Sequence, residues 1–101
     1  MGDVILRDPL GRDIVLHDGA WYGHILKGHP EVREHRRLVE RTIERPHEIR
    51  QSASDAACRL YFGPGPRPGI MMVVVADVVV GVVKTAHLTR RIKGGALEWP
   101  T

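Results

Sequence analysis

The sequence predicts an α+β domain: an N-terminal β-hairpin, then two helices packed on an antiparallel sheet of about four strands. Three observations carry this. Two short β-forming runs flank a Pro and Gly turn at the start, apolar residues recur at helical spacing between residues 20 and 45, and the hydrophobic period then falls to that of strands. At 101 residues the chain has room for one modest core and not for two. The expected organisation is a single domain, 1–101, with a hairpin extension over 1–18 and the α+β core over 19–101.

DVILR, DPLGR and DIVLHD read as two strands around a turn. Asp18 is placed to cap the helix that follows. Trp21, Tyr22, Ile25 and Leu26 give that helix one apolar face, and His29-Pro30 ends it, because a residue before proline avoids the helical region. A second helix is expected from Pro30 or Glu31, with Val32, Val39 and Ile43 as its buried stripe and Leu38 beside them. Its other face carries Arg33, Arg36, Arg37 and Arg41 interleaved with glutamates, the pattern of a solvated surface. Pro46 stops it. HEIRQS and CRLYF are short strands joined by a turn at Ser52 to Asp55, and GPGPRPG (63–69) is a loop. IMMVVVA and VVVGVVKTAHLT then form a long hairpin folding back near Asp77 to Gly81, apolar enough to be central in a sheet. RRIKGGALEW adds a last short strand.

Lys and Arg number 15 against 12 Asp and Glu, a net charge of +3, which suits an anionic partner without requiring one. Cys58 is the only cysteine, which excludes an intramolecular disulfide and any multi-cysteine zinc site. A reducing, cytoplasmic setting is expected. The first residues carry charges where a signal peptide would need an apolar core, and the apolar run 70–83 contains Asp77 and is too short for a membrane span.

Six histidines remain to be explained. Strand alternation puts Thr85, His87 and Thr89 on one side of VVKTAHLT and pairs Arg59 with Tyr61 on one side of CRLYF. Should those strands be neighbours in register, Arg59, Tyr61, Thr85 and His87 make one polar patch. The commoner role for a strand histidine is structural, hydrogen-bonded to a neighbour. The same holds for His24 at the border of an apolar helix stripe. His24 and His29 are five apart, not the four that aligns two imidazoles for a metal, and no metal-ligand motif accompanies them. His17, His35 and His47 have the look of solvated or local structural residues.

The order of motifs resembles a known family. W..HILK.HPEV, TIE.P.EI, the aromatic strand RLYF, the hydrophobic strand MMVVV and VVKTAHLTRRIKGG, together spanning about residues 21 to 95, are similar to the small phage-associated nucleases of the barnase, EndoU, colicin and RelE-like superfamily. The resemblance implies a metal-independent endoribonuclease, of the toxin type, needing no cofactor. Its partners would be RNA and an immunity or antitoxin protein; exposed strand edges leave a homodimer open. The positions carried over are His24 and His29 in the helical segment, Thr85 and His87 in the late strand, and Arg59. Cleaving RNA without metal requires a base for the 2′-hydroxyl, cationic or donor groups for the phosphorane and an acid for the leaving oxygen. His24 and His87 are the acid/base candidates under this reading, His29 assists, Arg59 and Thr85 steady the phosphate, and Arg90, Arg91 and Lys93 hold the RNA backbone by charge. The competing reading is a noncatalytic nucleic-acid- or protein-binding domain of the same fold. A metal-dependent hydrolase is the third and weakest.

Overall fold

The turn DPLGR is organised by its own first residue. The Asp8 carboxylate accepts hydrogen bonds from the Leu10 and Arg12 backbone N–H groups, each 2.9 Å, and Gly11 takes the left-handed φ of +83° that closes the loop. Strands β1 (Val4–Arg7) and β2 (Asp13–Leu16) therefore pair antiparallel, Val4 opposite Leu16. The structure, a computed structural model, describes residues 2–101. Met1, the first residue of the expected hairpin extension, lies outside the described residues.

Five further strands follow: β3 (Glu48–Gln51), β4 (Cys58–Pro64), β5 (Met71–Asp77), β6 (Val82–Thr89) and β7 (Leu97–Trp99). All seven belong to one sheet, in the order β1-β2-β6-β5-β4-β3-β7. This corrects the expected antiparallel sheet of about four strands with two helices packed on it: the sheet is mixed, seven-stranded and curled into a half-barrel, and its helices are short. Two additions account for the difference. The N-terminal hairpin is annexed through a single parallel bridge, Val15 to Val82, reinforced by the Val15 N–H donating to the Gly81 carbonyl at 2.8 Å. At the far side, β7 adds antiparallel to β3, with Ile49 opposite Trp99.

The helical segment is also broken up. Residues 18–28 form one run whose middle, Trp21–Ile25, is a π-helical turn, with the Leu26 N–H donating to the Trp21 carbonyl. That extra residue per turn lets Trp21, Ile25 and Leu26 all face the core. Asp3, not Asp18, caps this run, accepting from the Asp18 N–H at 2.8 Å. Pro30–Val32 is a separate 3₁₀ turn, and the second helix, Arg36–Glu44, starts later than the proline suggested. Arg36, expected on the solvated face, is buried: its guanidinium lies 5.6 Å from the Trp21 ring centre and donates to Asp18 at 2.6 Å.

Register sorts the strand residues onto two faces. On the inner face Ile49, Tyr61, Val74 and Ala86 align across β3, β4, β5 and β6, and join Ile14, Leu16, Ile25, Val32, Val39 and Ile43 in one core. The second helix comes so close to β4 that a Cβ on Gly63 would lie 3.1 Å from the Thr42 hydroxyl. On the outer face Phe62, Val73 and His87 align. Phe62 and Val73 are nonetheless buried, and residues 90–96 cross this face to carry the chain from β6 to β7. Gly94 lies where a Cβ would meet the Leu60 side chain, and the Gly95 N–H donates to the Gln51 carbonyl at 2.7 Å.

The curl brings the first turn onto the last strand. Asp8, whose side chain is fully buried, also accepts from the Tyr61 hydroxyl at 2.6 Å and Arg12 Nε at 2.7 Å. Arg12 continues to Glu98 of β7 at 2.7 Å, and Glu98 accepts from Arg59 Nε at 2.8 Å. Burial alone would raise both carboxyls, but the Tyr61 and Arg12 donors at Asp8, and the Arg12 and Arg59 donors at Glu98, outweigh it and hold both below the ordinary range. Tyr61 is pushed up by burial and by Asp8.

Breaking this clasp from its centre leaves the buried Tyr61 hydroxyl without its acceptor and the half-buried Arg12 with Glu98 alone. Asp8→Ala should cost about 3 kcal/mol, measured as a lower midpoint in denaturant unfolding, whereas Arg7→Ala at the exposed Asp13 pair should change stability by well under about 1 kcal/mol. Because the carboxyls titrate lower in the folded chain, their contribution is complete above the ordinary carboxylate range. It should be lost as pH falls below about 4, seen as a falling melting temperature that Asp8→Ala flattens.

Candidate functional site

Pairing between β2 and β6 stops at Val82, so the C-terminal half of β6 is an open edge, along which the first helix and the 3₁₀ turn lie. The junction between those two is His29, extended by the following proline at φ −138°, ψ 71°. Its side chain makes no cap. Instead its ring reaches the outer face and stacks on His87, with centroids 5.1 Å apart and planes at 29°. His29 Nδ1 lies 3.4 Å from a Glu31 carboxylate oxygen.

His87 Nδ1 is buried with no hydrogen-bond partner. Burial pushes the His87 imidazole below its ordinary pKa, His29 and to a lesser degree Lys93 act in the same direction, and Glu31 opposes them. The shift favours the uncharged ring, the form that accepts a proton. Thr85 points to the same face two residues earlier, opposite Val75. At the end of β6 the Thr89 hydroxyl accepts the Arg91 N–H at 3.2 Å and donates to the Arg91 carbonyl at 3.1 Å. That turn directs Arg90, Arg91 and Lys93 into a groove of about 530 Å³ beside the histidine pair, completed by Glu31 and Arg67. Four cations face one carboxylate there. A larger surface hollow, of about 780 Å³, lies along the second helix, where Glu34, Glu40 and Glu44 alternate with Arg37, Arg41 and Arg45; its charges balance and favour no ligand.

Not all the expected residues meet. His29, Thr85 and His87 share the outer face with Arg90, Arg91 and Lys93 nearby. Arg59 is on the inner face, since it aligns with Ala76 and Gln51 while His87 aligns with Val73, and it is committed to Glu98. The patch joining Arg59 and Tyr61 to Thr85 and His87 is therefore divided between the two sides of the sheet. His24 lies in the π turn with an exposed side chain. Glu31 and Arg67 were missed by sequence reasoning. Glu31 had the appearance of a first-turn helix residue and Arg67 of loop composition, and neither position has a periodicity that points at the site.

Among the described residues no three His, Cys, Asp or Glu side chains are grouped to hold a metal ion, and no helix is long and apolar enough to cross a membrane. No protein-family model, curated protein or solved structure matches the chain.

The stacked pair is checked by following both imidazoles through an NMR pH titration. His87 should titrate below the ordinary value of about 6.5, and His29→Ala, which removes both a cover and a like charge, should move its midpoint upward.

Proposed function

We propose that the protein is a metal-independent endoribonuclease of the kind its motifs resemble, working at the His29 and His87 pair. The observation that carries this reading is a stacked pair of imidazoles, one of them partly buried, that adjoins through Glu31 and Lys93 a groove bearing Arg67, Arg90, Arg91 and Lys93. RNA supplies its own nucleophile, so base, acid and cationic support for a phosphorane suffice.

In this mechanism Nε2 of His87, the nitrogen left once Nδ1 is buried, takes the proton of the 2′-hydroxyl. The 2′-oxygen forms a bond to phosphorus, the bond from phosphorus to the 5′-oxygen breaks, and His29 delivers a proton to that oxygen. The products are a 2′,3′-cyclic phosphate and a 5′-hydroxyl. Glu31 orients His29 through Nδ1, Thr85 stands beside His87, and the groove cations neutralise phosphate charge. A toxin role, restrained by an immunity protein, belongs to the same proposal through the resemblance alone.

Labelled single-stranded RNA incubated with the purified protein should be cut in the presence of chelator, leaving cyclic phosphate ends. His29→Ala and His87→Ala should each slow cleavage by about 100-fold or more, His24→Ala should slow it less, and Arg59→Ala should act chiefly by lowering the melting temperature. Salt-sensitive binding of RNA that is never cut would replace this reading with that of a noncatalytic binding domain.

A further inference from the structure

The groove does not end at the cations. Arg67, Ile70 and Arg90 also line a second recess of about 580 Å³, whose other walls are His47 and the loop between β4 and β5. The two recesses thus share a wall, and they differ in character. The first is cationic. The second is lined by Pro64, Pro66, Pro68, Ile70 and Met71 around two cations and one imidazole.

The loop is built to hold this shape. Gly65 donates to the Ile70 carbonyl at 2.8 Å, and Ile70 donates back to Arg67 at 3.3 Å. A Cβ on Gly65 would lie 2.1 Å from the Ile70 carbonyl oxygen, and Gly69 takes φ +82°, so both positions require glycine. Three prolines with fixed φ flank Arg67 on both sides. Arg67 is therefore presented from a stiff frame at the boundary between the two recesses, and the exposed proline rings beside it form an apolar shelf facing His47.

From this we infer that the recess between His47 and the Pro-Gly loop is a nucleobase subsite, which holds the base of the nucleotide beyond the two that flank the phosphate at His29 and His87 in a single-stranded RNA. Arg67 and Arg90 bridge the two positions by holding the phosphate that links them. An unpaired base offers an apolar face for the proline shelf and a π-face for an imidazole or guanidinium to stack upon. A base locked in a duplex offers neither. The inference rests on the groove being an RNA site, as proposed above, and adds its strand state and length requirement.

The test is fluorescence anisotropy with 2′-O-methyl oligonucleotides, which lack the nucleophilic hydroxyl and so stay intact. A single-stranded tetranucleotide should bind more tightly than a dinucleotide and more tightly than a duplex of the same length. His47→Ala should weaken tetranucleotide binding about tenfold, within the range for loss of one stacked base, while leaving dinucleotide binding unchanged. Arg67→Ala should weaken both and reduce the salt dependence. Equal affinity for tetranucleotide, dinucleotide and duplex, or a His47→Ala protein that binds all three as the parent does, overturns the base subsite while leaving the cationic groove intact. A parent protein that binds none of them, even at low salt, overturns the RNA groove and the subsite together. Circular dichroism melting of each variant separates a lost contact from a lost fold.

Discussion

One buried carboxylate holds the two ends of this sheet together. Asp8 accepts four hydrogen bonds, two from its own turn and two from the side chains of Tyr61 and Arg12. Arg12 then reaches Glu98, which lies 86 residues further along. A charge with no solvent exposure is tolerated only when its acceptor capacity is filled, and here the filling partners come from β4, the first turn and, through Arg12, β7. The chain must therefore curl its sheet until hairpin and last strand meet. Isolated, β1 and β2 would be a marginal two-stranded ribbon, and β7 is only three residues long.

The site follows from that curl. Because β7 docks beside β3, the chain leaving β6 has to cross the outer face, and residues 90–96 do so on Gly94 and Gly95, which lie against Gln51 and Leu60. The crossing brings Lys93 near His87. It also leaves Arg90 and Arg91 at the groove. The second cause is the short contact between β2 and β6, which leaves an edge for the His29-Pro30 junction to turn around. The stacked imidazoles are thus a product of strand order and of a helix that ends one residue before a proline-directed turn.

Local physics was legible in the sequence, and long-range pairing was not. Alternation along VVKTAHLT separates Thr85, His87 and Thr89 from Ala86 and Leu88, and proline at residue 30 marks the end of the first helix. The same alternation pairs Arg59 with Tyr61, but whether they share a side with His87 depends on register. The pairing of Leu60 with Val75 and of Val75 with Thr85 decides it. The strand count depended on a one-residue parallel bridge and a three-residue strand, neither with a periodic signal of its own. Arg36 has the pattern of a solvated helix residue because its partners, Trp21 and Asp18, lie 15 and 18 residues back on a separate helical segment, and nothing in helical spacing announces that packing. Asp8 showed only turn chemistry, since its deeper role needs Tyr61, 53 residues on.

The proposed function puts nucleic acid on the outer face, at His29 and His87, and leaves the inner-face network through Arg59 a structural role. Mapping amide shifts in ¹⁵N-labelled protein titrated with an uncleavable single-stranded RNA tests it most directly. Perturbations should centre on His29, Glu31, His87 and residues 89–93, with Asp8, Arg12, Arg59 and Glu98 unmoved. Perturbations centred on Arg59 and Glu98, with His87 silent, would contradict it.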